Sequence, residues 1–132
     1  MNEEKKILHL TLKKEWFARI ASGEKVEEYR ELKDYWGARL CYKVPVPRDG
    51  GYLTKWMKLR EGDRECLKDD FIPNFEKFDT VIFRHGYSSN APIMEIECKG
   101  IEIGVGKMEW GANGESFIIK LGKILSIKNY NQ

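Results

Sequence analysis

Leu8, Leu10 and Leu12 alternate with His9 and Thr11, the period-two pattern of a half-buried strand. The spacing then changes. Between Lys13 and Ser22, Trp16 pairs with Ile20 and Phe17 with Ala21 at four-residue intervals, as on one face of a helix, and Gly23 supplies a stop. The next stretch, Lys25 to Arg30, has no apolar side. In an extended chain Val26, Glu28 and Arg30 share one side and Lys25, Glu27 and Tyr29 the other. Mixed charge therefore stands where a strand normally turns toward a core, which either protects a sheet edge or lines a site.

Further along, Leu40, Tyr42 and Val44 alternate as a strand ending at Pro45, and 45–51 is a turn-rich loop. Tyr52 to Leu59 carries Leu53, Trp56, Met57 and Leu59 at roughly helical spacing, so it is either a short helix or part of a long excursion. Residues 60–70 are highly charged, and Phe71, Ile72, Phe75 and Phe78 around Pro73 suggest an irregular packed segment. Thr80 to Arg84 is a β-rich run, and 86–92 is a loop. Met94, Ile96 and Cys98 alternate with Glu95 and Glu97, and Ile101, Ile103 and Val105 alternate after Gly100. Met108 to Glu115 is a loop with Trp110, and Phe117 to Ile127 gives one or two closing strands.

The sum is about six short strands and one helix, the helix between the first two strands: an α+β class, mainly β. Short glycine-bearing connections between the later strands favour antiparallel neighbours. Closure into a small β-barrel would hide the sheet edges, with Gly100, Gly104, Gly106 and Gly122 marking bends. The 132 residues fit one domain, 1–132, with a long insertion-like segment at about 45–78.

Charge narrows the function classes. Lys and Arg total 23 against 21 Asp and Glu, too even for a blanket nucleic-acid binder, yet a local basic patch suffices to hold a few phosphates. Three widely spaced cysteines, Cys41, Cys66 and Cys98, do not make a disulfide framework, and this suits a reducing compartment. The opening residues lack the apolar core of a signal peptide, and no run is long enough to span a bilayer. The expectation is a cytoplasmic, soluble protein with no membrane partner. The pattern leaves the oligomeric state open.

Lys25, Glu28 and Arg30 are the leading candidates for chemistry. The cations can hold a phosphate, Arg30 through its planar fork. Glu28 can orient that guanidinium or accept a hydrogen bond from a base, and a lysine beside a carboxylate in a dry pocket can carry a proton. Taken by themselves, these residues are better explained as a charged edge strand, because surface charge is common. Arg84 and Tyr87, at a strand end and in the loop after it, form a second candidate pair: Tyr87 to stack on a base, Arg84 to meet phosphate or a base plane. The competing explanation is a glycine turn with its aromatic packed back on the barrel. Trp16 is assigned to the core, Trp110 goes either way, and Trp36 and Trp56 have no assignment. His9 and His85 have no ligand-spaced partner, so no metal is expected. Gly104-Val105-Gly106-Lys107 lacks the glycine spacing and the Ser/Thr of a phosphate loop, and no Ser/His/Asp elbow is present.

The order of a Leu8-His9-Leu10 strand, a Trp16-Phe17-Ile20 helix and then Gly23-x-Lys25-x-x-Glu28-x-Arg30 resembles the ASCH domain family of the PUA-like superfamily. The likeness covers about a quarter of the chain, with looser agreement at Val81–Arg84, around Ile96 and over Ile101–Val105. It implies a small PUA-like β-barrel with a cleft beside the first helix that binds RNA or a nucleotide-like molecule through Lys25, Glu28 and Arg30, without a cofactor. Some bacterial members look like metal-independent amidohydrolases that remove an acyl group from a modified cytidine, with a lysine and a threonine implicated. Here the lysine and arginine are kept and both threonines are replaced, by Val26 and Glu28, so only a mechanism with Glu28 as base for water is open. Three functions compete: an RNA- or nucleotide-binding module, a hydrolase of a modified nucleoside or RNA acting through Lys25 and Glu28, and a protein-interaction domain without a small ligand. Convergence of Lys25, Glu28 and Arg30 in a concavity, with Arg84 or Tyr87 opposite, would favour the first two.

Overall fold

The computed structural model describes residues 4–41, 43–46, 51–54 and 75–130, with 43–46 and 51–54 as backbone alone. Its elements run β1 (Ile7–Thr11), α1 (Lys14–Ala21), β2 (Glu27–Arg30), α2 (Asp34–Leu40), β3 (Lys43–Val46), β4 (Gly51–Thr54), β5 (Thr80–Arg84), β6 (Ile93–Val105) and β7 (Glu115–Lys128). The chain is thus mainly β, with a helix between the first two strands as the hydrophobic pattern predicts.

Five strands form one curled sheet in the order β1-β5-β6-β7-β2, and β3 pairs with β4 as a separate hairpin. The pairings β5–β6, β6–β7 and β2–β7 are antiparallel, while β1–β5 is parallel. The sheet is a half-barrel: β1 and β2 are its two ends and are not hydrogen-bonded neighbours. Ile93–Val105 is one long strand, where the alternation suggests two, because Gly100 is absorbed as a bulge. Its φ of 141° accompanies a register shift that sets Cys98 opposite Leu121 and Gly100 opposite Lys120. Gly122 lies in the same irregular stretch of β7.

The helix α1 lays Phe17 and Ile20 into the sheet's concave face, onto a core containing Leu8, Leu10, Val81, Phe83, Met94, Phe117 and Ile119. Burying a side chain of this kind stabilises by roughly 1.5–3 kcal/mol. The second helix is not visible in the hydrophobic pattern: Leu40, expected to open a strand, ends α2, and the following strand begins at Lys43. A buried glycine, Gly37, in the middle of this seven-residue helix hides its period. Gly51–Thr54 is a strand, whereas the rest of the proposed helix over 52–59 and the charged run at 60–70 lie outside the described residues. Phe75 and Phe78 pack against the core, the Phe75 and Phe117 rings standing perpendicular at a centroid distance of 6.1 Å.

Candidate functional site

Gly23, at a φ of 85°, lets the chain turn back sharply after α1. The Lys25 amide then donates to the Arg19 carbonyl oxygen at 3.1 Å, so Lys25 lies against the helix end, two residues before β2 begins. This overturns the expected placement of Lys25 across the strand from Glu28, because strand alternation does not reach it. Glu28 and Arg30 lie opposite Ile119 and Phe117 in the β2–β7 ladder and share their core-facing side.

The three charged groups converge. Lys25 Nζ donates to Glu28 Oε1, and Arg30 Nη1 donates to Glu28 Oε2. Lys25 and Glu28 are only 2% and 4% exposed. Arg30 also donates from Nη1 to the Tyr29 carbonyl at 2.8 Å and from Nη2 to the Thr11 carbonyl at 3.0 Å. Among the described residues, this leaves its Nε–H and a second Nη2 proton for a guest. Each Glu28 oxygen likewise keeps a lone pair. Burial drives the Lys25 amine below its ordinary pKa of 10.5, and contact with Glu28 opposes that shift.

Above this network lies a cleft of about 440 Å³ walled by Trp16, Trp36 and Trp110. Three of the chain's four tryptophans therefore meet at one site. Lys25 Nζ lies 4.6 Å from the Trp16 ring centre, and the Arg30 guanidinium 5.1 Å from that of Trp36. Trp16 rests partly on the core, as its spacing predicts, but its other side faces the cleft. Trp110 belongs to a short 3-10 turn, Met108–Trp110, tied to α1 by Arg19 Nη1, which donates to the Glu109 carbonyl at 2.6 Å. Gly111 follows at a φ of 98°, and a Cβ there would stand 3.0 Å from Trp16 Cζ2. Its missing side chain lets the loop close down on Trp16.

Tyr29 alternates with Glu28 and Arg30 along β2 but also borders the cleft, its ring centre 5.6 Å from Lys25 Nζ. Its hydroxyl donates to Glu27 Oε1 at 2.8 Å and accepts from the Lys107 amide at 3.0 Å. Burial, with the carboxylates of Glu27 and Glu28 adding to it, pushes its pKa up to about 12. Gly106 makes room for the ring, since a Cβ there would stand 2.3 Å from Tyr29 Cε1. The Gly104–Lys107 stretch is thus part of the support for β2.

Arg84 and Tyr87 do not face the network. They line a neighbouring groove of about 330 Å³ that shares Thr11 and Trp36 with the first cleft. Tyr87 is 86% exposed, so it is not packed back on the sheet. His85 Nδ1–H donates to the Leu12 carbonyl at 2.9 Å and pins the start of this loop. Sequence reasoning missed Trp36 as a wall of the site. Its signal was the four-residue spacing from Trp36 to Leu40, on a helix that Gly37 concealed. Among the described residues, no three His, Cys, Asp or Glu side chains group as metal ligands, and no helix is long and apolar enough to cross a membrane.

The arrangement can take a flat, hydrogen-bonding molecule between indoles and present it with cationic donors and the Glu28 carboxylate. No family model, curated protein or solved structure matches the chain.

Proposed function

We propose that the protein is an RNA- or nucleotide-binding module of the ASCH type, with the tryptophan-walled cleft as its base site. The observation that carries this reading is the placement of Lys25, Glu28 and Arg30 as a buried, mutually bonded floor beneath three indoles. Buried ion pairs are a poor way to gain stability, because desolvation offsets most of their attraction. A charged floor under an open aromatic cleft suits a ligand better than it suits a core. The indoles offer stacking faces for a base, the free protons of Arg30 offer donors, and Glu28 offers an acceptor for an exocyclic amino group. A protein-interaction domain would need none of this convergence.

The test is titration of nucleosides, nucleotides and short RNAs, followed by tryptophan fluorescence and thermal shift. A ligand of the folded form raises the melting temperature and perturbs the indoles. If no nucleotide or RNA does either, the assignment is wrong.

One observation favours a second reading, a hydrolase. Lys25 is buried, bonded to Glu28, and shifted toward its neutral amine. In that reading Glu28 takes a proton from water, the hydroxide adds to the acyl carbon of a modified cytidine, the proton crosses the Glu28–Lys25 hydrogen bond, and Lys25 delivers it to the amino nitrogen as the acyl C–N bond breaks. The products are a carboxylic acid and cytidine. Wild-type protein that releases no acid from acylated cytidine would remove this reading and leave the binding module.

A further inference from the structure

We infer that the groove beside the cleft is a second nucleotide subsite, so that the ligand is a single strand of linked nucleotides and not a free nucleoside. This rests on the base-site reading above and adds to it. The two cavities lie on either side of Trp36 and Thr11, so a chain long enough to pass over that wall reaches both. Their chemistry differs. The first cleft has the Glu28 carboxylate in its floor; among the described residues no acidic side chain lines the groove, which carries two guanidiniums, Arg39 and Arg84. Among the described residues neither guanidinium is paired with a carboxylate: Arg39 Nη1 donates to the Tyr35 hydroxyl at 3.3 Å and Arg84 Nη1 to the Ser88 carbonyl at 3.4 Å, both long contacts. Tyr35 and Tyr87 are 60% and 86% exposed at the same groove. Tyr35 meets Trp36 edge-on at 4.8 Å, and Arg39 lies 5.4 Å from the Tyr35 ring centre, so these groups are held as a unit.

Exposed aromatic faces interleaved with unneutralised arginines are what a polynucleotide backbone and its bases require. A free nucleoside would leave the guanidiniums idle. An acidic peptide would use the cations but has no need of the two open tyrosine rings.

The experiment compares a nucleoside monophosphate, a dinucleotide and single strands of about six nucleotides, of RNA and of DNA in separate arms, on full-length wild type, Arg84→Ala, Arg39→Ala and Tyr87→Ala. The strand should bind wild type at least roughly tenfold tighter than the monophosphate, since one further stacked base is worth about that much. Each variant should lose most of that gain while binding the monophosphate as wild type does, and the arginine variants should show a shallower salt dependence. Tyr87 is almost wholly exposed, so its variant keeps the fold. Equal affinity for monophosphate and strand, or variants that bind the strand as wild type does, would overturn the second subsite and leave the cleft standing. A polyglutamate peptide that competes as well as the strand would overturn it too. If neither monophosphate nor strand binds, the base-site reading fails and this inference falls with it. The RNA and DNA arms show which backbone the groove takes.

Discussion

The Arg30 guanidinium donates to the carbonyl oxygen of Thr11 at 3.0 Å, and so joins two strands that do not pair with each other. Thr11 ends β1 and Arg30 ends β2, the two ends of the curled sheet. One side chain thus spans the seam that would need a backbone ladder in a closed barrel. The same side chain holds Glu28 in place. The seam and the candidate site are one structure.

Arg30→Ala should therefore act twice. It should lower nucleotide or RNA affinity by about tenfold or more, as loss of a charge-assisted fork does, and lower stability by about 1–3 kcal/mol through the unpaired acceptors. Lys128→Ala, at the other end of β7, serves as the control and should change neither. Binding titrations and urea denaturation check both. Equal, small effects of the two substitutions would count against the site.

Glu28 is the only carboxylate bonded to Lys25 among the described residues. Glu28→Ala leaves a buried ammonium unpaired and should cost about 3–5 kcal/mol in denaturant unfolding. The double variant Lys25→Met/Glu28→Leu removes both charges and should recover the part of that loss due to Lys25, while Arg30 keeps only its carbonyl acceptors, and it should not bind ligand. Recovered stability together with retained binding would show that the floor is structural only.

Two groups set opposite trends with pH. The folded-state pKa of Lys25 is depressed, so the unfolded chain holds the extra proton and stability rises with pH from that depressed value up to 10.5. Tyr29 is raised from 10.0 to about 12, so its contribution is complete below pH 10 and is lost as pH climbs toward 12. Stability measured against pH in alkali should climb and then fall. Tyr29→Phe should abolish the Tyr29 share of the fall, and a spectrophotometric titration should show one tyrosine ionising later than an exposed one. An unchanged alkaline limb in that variant would refute the assignment.

Gly111 carries the loop that places Trp110. Gly111→Ala adds a Cβ at 3.0 Å from Trp16 Cζ2 and also requires a φ of 98°, which non-glycine residues rarely adopt. The substitution should cost about 1–3 kcal/mol and shift the fluorescence of the cleft tryptophans, with weaker ligand binding. A variant with wild-type fluorescence and affinity would show that the loop does not shape the cleft.

The residue pattern by itself determined the β1–α1–β2 opening, the later antiparallel strands and the unusual charge of Lys25, Glu28 and Arg30. Alternation and four-residue spacing are local properties, and side-chain periodicity reports them directly. It could not place Lys25 correctly, because the reversal at Gly23 sets that residue outside the strand whose alternation was being applied. Nor could it gather Trp16, Trp36 and Trp110, which lie on α1, α2 and a 3-10 turn, into one cleft. That meeting, the assignment of Arg84 and Tyr87 to a separate groove, and the bridging of an unpaired seam by Arg30 depend on how a curled sheet brings distant segments together. Such proximity is set by packing over the whole sheet, and no short-range period in the chain encodes it.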